Sequence, residues 1–355
     1  MKTKTTLLFI LFAALSFAQT RNEINIPDIM GYKTLKCDLH IHTVFSDGLV
    51  WPSVRVDEAY REGLDVIAIT DHLEYRPFKD DVVASHNRSY EIAANAIRDR
   101  DVIVIKGSEI TRGMPPGHSN AIFLDDCDAL DVPEYIDAFR AAKAQNAFIF
   151  WNHPGWKAQQ PDTTLWWDEH TELYNEGLMQ GIEVVNGGEY YPEAHGWALE
   201  KDLTFLGNSD IHAPSMIRKG EHRSMTLVFA KEKSENGVKE ALLNRRTVVY
   251  MQDKLIGEEM YLREIADKSV EIVNVTQQNN TLLIDVKNNS DLPFYLEKSD
   301  HDPNIVYFDT FTIEPHSNHT ITIKLENGVS GGKMNFRVTN LLAKPNEGLL
   351  MSYDI

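Results

Sequence analysis

The segment DLHIHTVFSDG, residues 38–48, begins with strand character and ends in a Gly turn. In an extended strand successive side chains alternate between faces, so His40 and His42 project from one face about 7 Å apart along the backbone. That spacing lets two imidazoles ligate one cation, or two cations a few Å apart. Leu39 and Ile41 occupy the opposite face, which must then also be buried. Such a strand fits a barrel wall whose mouth holds metal. Taken alone, His-x-His fits a pair of hydrogen-bonded core histidines equally well.

Downstream, apolar strands alternate with helical patterns. Residues 52–63 read as a helix, with Pro52 in the first turn and Gly63 at the end. Residues 65–70 (DVIAIT) form a near-continuous apolar run of the buried parallel type. Further strands are expected at 102–105, 118–124, 147–151, 181–186, 204–206 and 225–229, and helices at 85–98, 133–146, 193–201 and 234–244. This alternation predicts an α/β fold over residues 30–252, with a parallel sheet closed or nearly closed into a TIM-like barrel. Residues 253–268 read as a linker and helix. Residues 269–355 change character to short alternating strands separated by Asn-Asn, Asn-Gly and Gly-Gly pairs, which predicts a small antiparallel β-sandwich. His301, His316 and His319 fall in turn-like contexts there and read as surface residues.

His72, Glu109, His153, Asp210 and His212 all follow apolar strands, on the face where barrel enzymes carry their chemistry. With His40, His42, Asp47 and His118 they make nine N/O donors. Zinc takes about four ligands and Mn or Fe up to about six, so two or three divalent metals is the natural count. The donor set lacks Cys, which favours Mn, Zn or Fe over soft Cu(I). Glu109, a carboxylate amid imidazoles, is suited to bridging two ions.

A net charge of −18 argues against a nucleic-acid polymer as partner, because phosphate-backbone binding rests on clustered Lys and Arg. A small phosphate ester remains compatible if metal ions supply the local positive charge. The two cysteines, Cys37 and Cys127, either pair or serve as small buried residues. At the amino terminus, Lys2 and Lys4 precede an apolar run at 7–17, and Ser16-Phe17-Ala18 offers a small-x-small cleavage site. Residues 1–18 read as a signal peptide, too short for a span of about 20 residues. A periplasmic or secreted location without a membrane span after cleavage is expected; an uncleaved anchor is the alternative.

DLHIHTVFSDG, TDH (70–72), GSEIT (107–111), GHSN (117–120), NHP (152–154) and NSDIH (208–212) together resemble the PHP (polymerase and histidinol phosphatase) superfamily over residues 33–250. The resemblance implies a distorted (β/α)7 barrel with a two- or three-metal cluster and phosphoester hydrolysis. It assigns His40, His42 and Asp210 to a first metal. Glu109 bridges to a second, held by His118 and His153, and Asp47, His72 and His212 take a third. Asp47 stands where some members have His. The amino-terminal segment and the carboxyl sandwich resemble the exported, Sb-PDE-like phosphodiesterase branch. A phosphomonoesterase of the histidinol-phosphatase type is the alternative, ahead of a non-catalytic binding protein. A metal-dependent amidohydrolase also opens on His-x-His, but usually bridges its metals with a carbamylated strand-end Lys; here Lys106 falls on the strand face opposite Glu109.

In this reading Glu109 and Asp210 serve catalysis through the metals. Arg218, Lys219 and Arg223 follow His212 and supply a clamp for phosphoryl charge, with Arg76 and Arg112 after other ligands; a solvated surface charge is the alternative for each. Trp151, Trp156, Trp166, Trp167, Tyr190 and Tyr191 form an apolar wall for an aryl or nucleoside group, or else pack the barrel and anchor loops. His86, His170, His195 and His222 lie outside the ligand pattern.

Overall fold

The computed structural model describes residues 21–326 and 328–355, so the expected signal peptide at 1–18 lies outside them. The first domain runs β1 (Lys33–Asp38), α1 (Pro52–Arg61), β2 (Val66–Ile69), α2 (Arg88–Ala96), β3 (Ile103–Thr111), β4 (His118–Ile122), α3 (Tyr135–Ala144) and β5 (Phe148–Trp151). It continues with α4 (Asp168–Asn175), β6 (Gly181–Asn186), β7 (Glu189–Tyr190), α5 (Pro192–Glu200), β8 (Thr204–Asn208), β9 (Met225–Ala230), α6 (Glu235–Leu243), β10 (Thr247–Met251), β11 (Lys254–Gly257) and α7 (Glu259–Ser269). Local chemistry explains several boundaries. Pro52 opens α1, where a missing N–H costs nothing. Ser234 caps α6 by accepting the Gly237 N–H at 3.0 Å.

The TIM-like sheet runs β11-β10-β9-β1-β2-β3-β4-β5-β6, with β7 and β8 both joined to β6. The pairs β1–β2, β2–β3, β5–β6 and β6–β8 are parallel. The pairs β3–β4, β4–β5, β1–β9, β9–β10 and β10–β11 are antiparallel. The sheet is therefore mixed rather than parallel throughout. A parallel return needs a connection of about a dozen residues or more, and the short links from β3 to β4 and from β10 to β11 permit only hairpins. Between β8 and β1 the contact is local: an isolated Ile41–Ile211 bridge, Asp210 N donating to His40 O (3.0 Å) and Leu39 N donating to Asn208 Oδ1 (2.8 Å).

The second domain comprises β12 (Val270–Gln278), β13 (Thr281–Asn288), β14 (Phe294–Lys298), β15 (Ile305–Val306), β16 (Thr310–Ile313), β17 (Asn318–Leu325), β18 (Lys333–Lys344) and β19 (Glu347–Asp354). One sheet is β12-β13-β17-β15; the other is β16-β14-β18, with β19 on β18. The second sheet continues into the barrel sheet, because β18 lies parallel to β11 with Leu255 opposite Leu341 and Ile256 opposite Leu342. Residues 253–268 thus hold β11 and most of α7. An apolar core runs unbroken from Val56, Ile67 and Leu227 through Leu262 and Ile265 to Ile284, Phe294 and Leu349. His301 and His316 are exposed as expected, whereas His319 is half-buried and bonds Ser317 Oγ at 2.7 Å.

Candidate metal centre

All nine expected donors fall in one connected cluster, with five imidazoles directly about Glu109. His40 and His42 lie just past the end of β1, and Asp47 sits in the turn that follows. His72 follows β2 and is bridged to Glu109, which belongs to β3; His118 opens β4. His153 follows β5, and Asp210 and His212 follow β8. His153 (φ 30°) and Asp210 (φ 52°) adopt the left-handed backbone region, costly for non-glycine residues and found mostly where surrounding structure enforces it.

His40 Nε2 and His42 Nε2 approach to 3.0 Å. Both face Asp210 Oδ1, at 3.2 and 3.0 Å, and Glu109 Oε2, at 3.4 and 3.2 Å. Glu109 Oε2 also lies 2.8 Å from His72 Nδ1, while its other oxygen lies 2.9 Å from His118 Nδ1 and 3.7 Å from His153 Nε2. Asp47 Oδ1 lies 3.1 Å from His212 Nε2 and 3.4 Å from His72 Nε2. Three donor groups result: His40, His42 and Glu109; His72, Glu109 and His118; and His42, Asp47, His72 and His212, each with ligand atoms within 4.8 Å of one another. That spread suits donors about 2.0–2.3 Å from a shared ion. The second group takes His72 where the family resemblance implies His153, whose ring lies 5.0 Å from that of His118.

The electrostatics demand positive charge. Burial pushes the Glu109 and Asp210 carboxyls up, but His72, His40 and His118 around Glu109, and His40 and His42 around Asp210, hold both well below the usual carboxylate range. Asp47 is likewise held low, by His212 and His72 against burial. Burial lowers His40, yet the Asp210, Glu183 and Glu109 carboxylates raise it well above its ordinary value. His72, lowered by burial, is driven up to about 10 by Glu109 and Asp47. Asp47 Oδ1, His118 Nδ1, His153 Nδ1 and Asp210 Oδ1 are buried without a hydrogen-bond partner. Asp47 Oδ1, His118 Nδ1 and Asp210 Oδ1 thus lie close to other donors without forming hydrogen bonds to them, as atoms that share a cation would. Three ionised carboxylates, six imidazoles and these orphaned atoms fit divalent cations.

Residues outside the expected set orient the ligands. Glu183, buried in β6, accepts a hydrogen bond from His40 Nδ1 (3.0 Å) and from His153 N (2.8 Å), Asn208 Nδ2 (2.9 Å) and Asn186 Nδ2 (2.9 Å). Asn152 Nδ2 donates to Glu109 Oε1 at 3.0 Å. Ser46 Oγ links His42 Nδ1 (3.3 Å) to Asp71 (2.7 Å), and Thr111 Oγ1 meets His72 Nδ1 at 2.6 Å. Arg55 donates to the carbonyls of His42 (2.9 Å), Ile211 (3.0 Å), His212 (2.8 Å) and Ala213 (2.9 Å), stitching two ligand loops together. The readable sign of Glu183 was an acid inside the apolar strand GIEVVN; Arg55 carried none.

The arginine clamp is not assembled. Arg223 is buried and paired with Asp38 (3.0 Å) and Glu62 (2.5 Å), so its charge is consumed away from the donors. Arg218 is exposed and, with Lys219, lines a surface pocket with Arg21, Asn22, Arg61 and Glu62, none of them a donor. Arg76 donates to the carbonyls of Phe45 and Ala84, and Arg112 pairs with Glu74 at 2.8 Å. Among the aromatics, Trp151 is fully buried against His170 (ring centroids 3.7 Å apart) and Trp197. Trp166 packs on the same group, and Tyr190 bonds His195. Only Trp156 of the expected wall has a ring contact with a donor, and Tyr75, not anticipated, meets His72. Cys37 and Cys127 are both free and buried.

A mixed, TIM-like α/β sheet carrying a cluster of His, Asp and Glu donors, joined to an antiparallel β-sandwich, defines a two-domain protein with a metal-binding centre. Residues 269–354 match the family model DUF5001, described as an Ig-like domain. The chain is similar to a two-domain protein from Bacteroides vulgatus ATCC 8482, described as containing a predicted PHP-like metal-dependent phosphoesterase. The two are 54% identical over 95% of this chain and 100% of that one, with a TM-score of 0.93. The chain therefore belongs to the PHP-like metal-dependent phosphoesterases. A structure from Bifidobacterium adolescentis ATCC 15703 named as a metal-dependent phosphoesterase is 18% identical over 59% of this chain and 96% of that one, with a TM-score of 0.43. No curated protein sequence matches the chain.

Proposed function

We propose that this phosphoesterase is an exported phosphodiesterase acting on small phosphate diesters with two or three divalent cations, Mn, Zn or Fe. The convergence of six imidazoles and three ionised carboxylates on adjoining points carries the metal-dependent reading. The resemblance to the exported branch supports the diester, and the basic, then apolar, segment at residues 1–18 supports export. His40, His42 and Asp210 would hold one cation. Glu109 would reach a second beside His118 with His153 or His72, and Asp47 and His212 a third with the remaining His72 nitrogen. Divalent cations at these residues would supply an acidified water, a source of hydroxide near neutral pH, and polarisation of a phosphoryl oxygen. The protein's own part is orientation: Glu183 accepts the Nδ1–H of His40, which leaves Nε2 to the centre. Among the described residues Arg55 touches the ligand loops only through backbone carbonyls and Arg223 is spent on Asp38 and Glu62, so neutralising substrate charge would fall to the bound cations.

The deciding experiment compares bis(p-nitrophenyl) phosphate with p-nitrophenyl phosphate on purified protein reconstituted with Mn or Zn. Faster diester turnover, abolished by a chelator and restored by metal, is expected. Preference for the monoester would replace the diesterase by a monoesterase, and no turnover of either would sink the reading. Glu109→Ala is expected to lower metal content and reduce activity by more than about 100-fold, beyond what losing an outer partner costs. Amino-terminal sequencing of the mature protein tests export.

A further inference from the structure

We infer that Trp156, with Tyr75 at the far side of the cluster, is a stacking platform for a planar aromatic group on the ester, so that the site selects aromatic over aliphatic phosphate esters. This rests on the phosphoesterase reading above and narrows its substrate class.

Trp156 is 42% exposed, yet its ring centroid lies 5.2 Å from that of His153 and 5.7 Å from that of His118. The backbone beneath it is pinned. Trp156 N donates to His153 O at 2.9 Å, and the Gln159 and Gln160 amides donate to Trp156 O at 3.0 and 2.9 Å. Gln160 Nε2 holds Pro154 O at 2.8 Å. Gly155 is wedged beneath Tyr191, where a Cβ would lie 2.5 Å from the ring carbon Cδ1. A rigid turn thus holds a large apolar ring at the solvent rim of the donor set, while Trp151, five residues earlier, is wholly buried. Tyr75, 54% exposed, places its ring 5.8 Å from His72. Since His72 and His118 are 5.7 Å apart, Tyr75, His72, His118 and Trp156 form a continuous row of rings with exposed aromatics at both ends.

Exposed aromatics scattered singly need no explanation. Here both touch imidazoles of the metal donor set and are open to solvent, so an ester whose phosphate sits on the cluster would extend its organic group past them. Rigid aromatic platforms bind planar π systems at low entropic cost, and stacking of a base on an aromatic side chain is worth about tenfold or more in affinity. A purely structural duty for Trp156, bracing His118 and His153, makes a different prediction: metal loss, and equal loss for every ester.

The test uses metal-reconstituted full-length wild type, Trp156→Ala, Trp156→Phe and Tyr75→Ala. The methyl diesters of phenyl phosphate, of a nucleoside 5′-phosphate and of glycerol phosphate are the probes, with calorimetric affinity, kcat/KM and metal content as readouts. Trp156→Ala is expected to weaken the two aromatic esters about tenfold, leaving the glycerol ester within about twofold and metal content unchanged. Trp156→Phe should restore most of the loss, and Tyr75→Ala should share its direction. The larger of the two aromatic losses identifies an aryl or a nucleobase source. Equal weakening of all three esters, loss of metal, no effect, or no wild-type binding of either aromatic ester overturns the inference. Trp156-dependent binding without turnover of any ester sinks the phosphoesterase reading alone; turnover indifferent to Trp156 sinks the platform alone.

Discussion

His40 offers Nε2 to the centre because Glu183 accepts a hydrogen bond from Nδ1–H at 3.0 Å and keeps the proton there. Outer partners of this kind fix ring tautomer and are worth about 10–100-fold in metal affinity. Glu183→Gln is expected to weaken metal binding by that factor with the far-UV spectrum unchanged, measured by competition against a chromophoric chelator; undiminished affinity would refute the positioning role. The donors themselves were legible because His, Asp and Glu recurred where apolar runs ended. Glu183 was not, since sequence shows an acid in a strand without showing what it faces. Arg223 marks the opposite error. It follows His212 closely in the chain, yet is drawn back to Asp38 and Glu62, buried acids of β1 and the end of α1 that need a cation more than the site does.

At the scale of elements, β3 continues through Glu109 because β4 pairs with it, Glu109 lying opposite Asn120, where the apolar pattern alone ended near residue 105. Gly107 permits this: a Cβ there would come within 2.8 Å of Ile122 Cγ2. Helix α4, DEHTELYN, was not foreseen. Its packing is carried by His170, which stacks on Trp151, accepts Trp167 N on Nδ1 at 3.0 Å and directs Nε2 to Pro116 O at 2.7 Å. Those bonds need a neutral ring, and burial lowers its pKa to about 4, against the Pro116 carbonyl, which raises it. The unfolded chain takes up this proton near pH 6.5 and the folded chain only near 4, so stability is full above about 6.5 and falls between those values. The loss by pH 5 is on the order of 2 kcal/mol. His170→Phe should be less stable at pH 7.5, having lost two hydrogen bonds, yet should lose less on acidification. Urea midpoints at pH 7.5 and 5 check this, and equal acid sensitivity in both proteins would count against it.

For the whole molecule, the joint between domains matters most. The β11–β18 ladder and the shared apolar core make the sandwich part of the barrel's own packing. A chain ending at residue 268 would leave the β11 edge unpaired and bare Leu262 and Ile265, which are fully buried in the whole protein. It is expected to aggregate on expression, and the full chain to unfold in one cooperative transition. A soluble, monomeric truncation with its own sharp melting transition would show instead that the barrel stands alone. The long strand patterning of residues 269–355 revealed a second domain but not this continuity, because pairing partners distant in sequence leave no local mark.

The sequence alone determined the donor types, their order at the ends of apolar runs, the sandwich after residue 269 and, through those motifs, the family resemblance. These follow from side-chain chemistry and from local periods of two and 3.6 residues. Tertiary structure alone decided which strands turned antiparallel, which nitrogens face which carboxylate oxygens, that Arg223 is spent on Asp38 and Glu62, and that Trp156 and Tyr75 rather than Trp151 border the donors. Each of these depends on contacts between residues far apart in the chain, where burial and charge pairing are settled by three-dimensional packing.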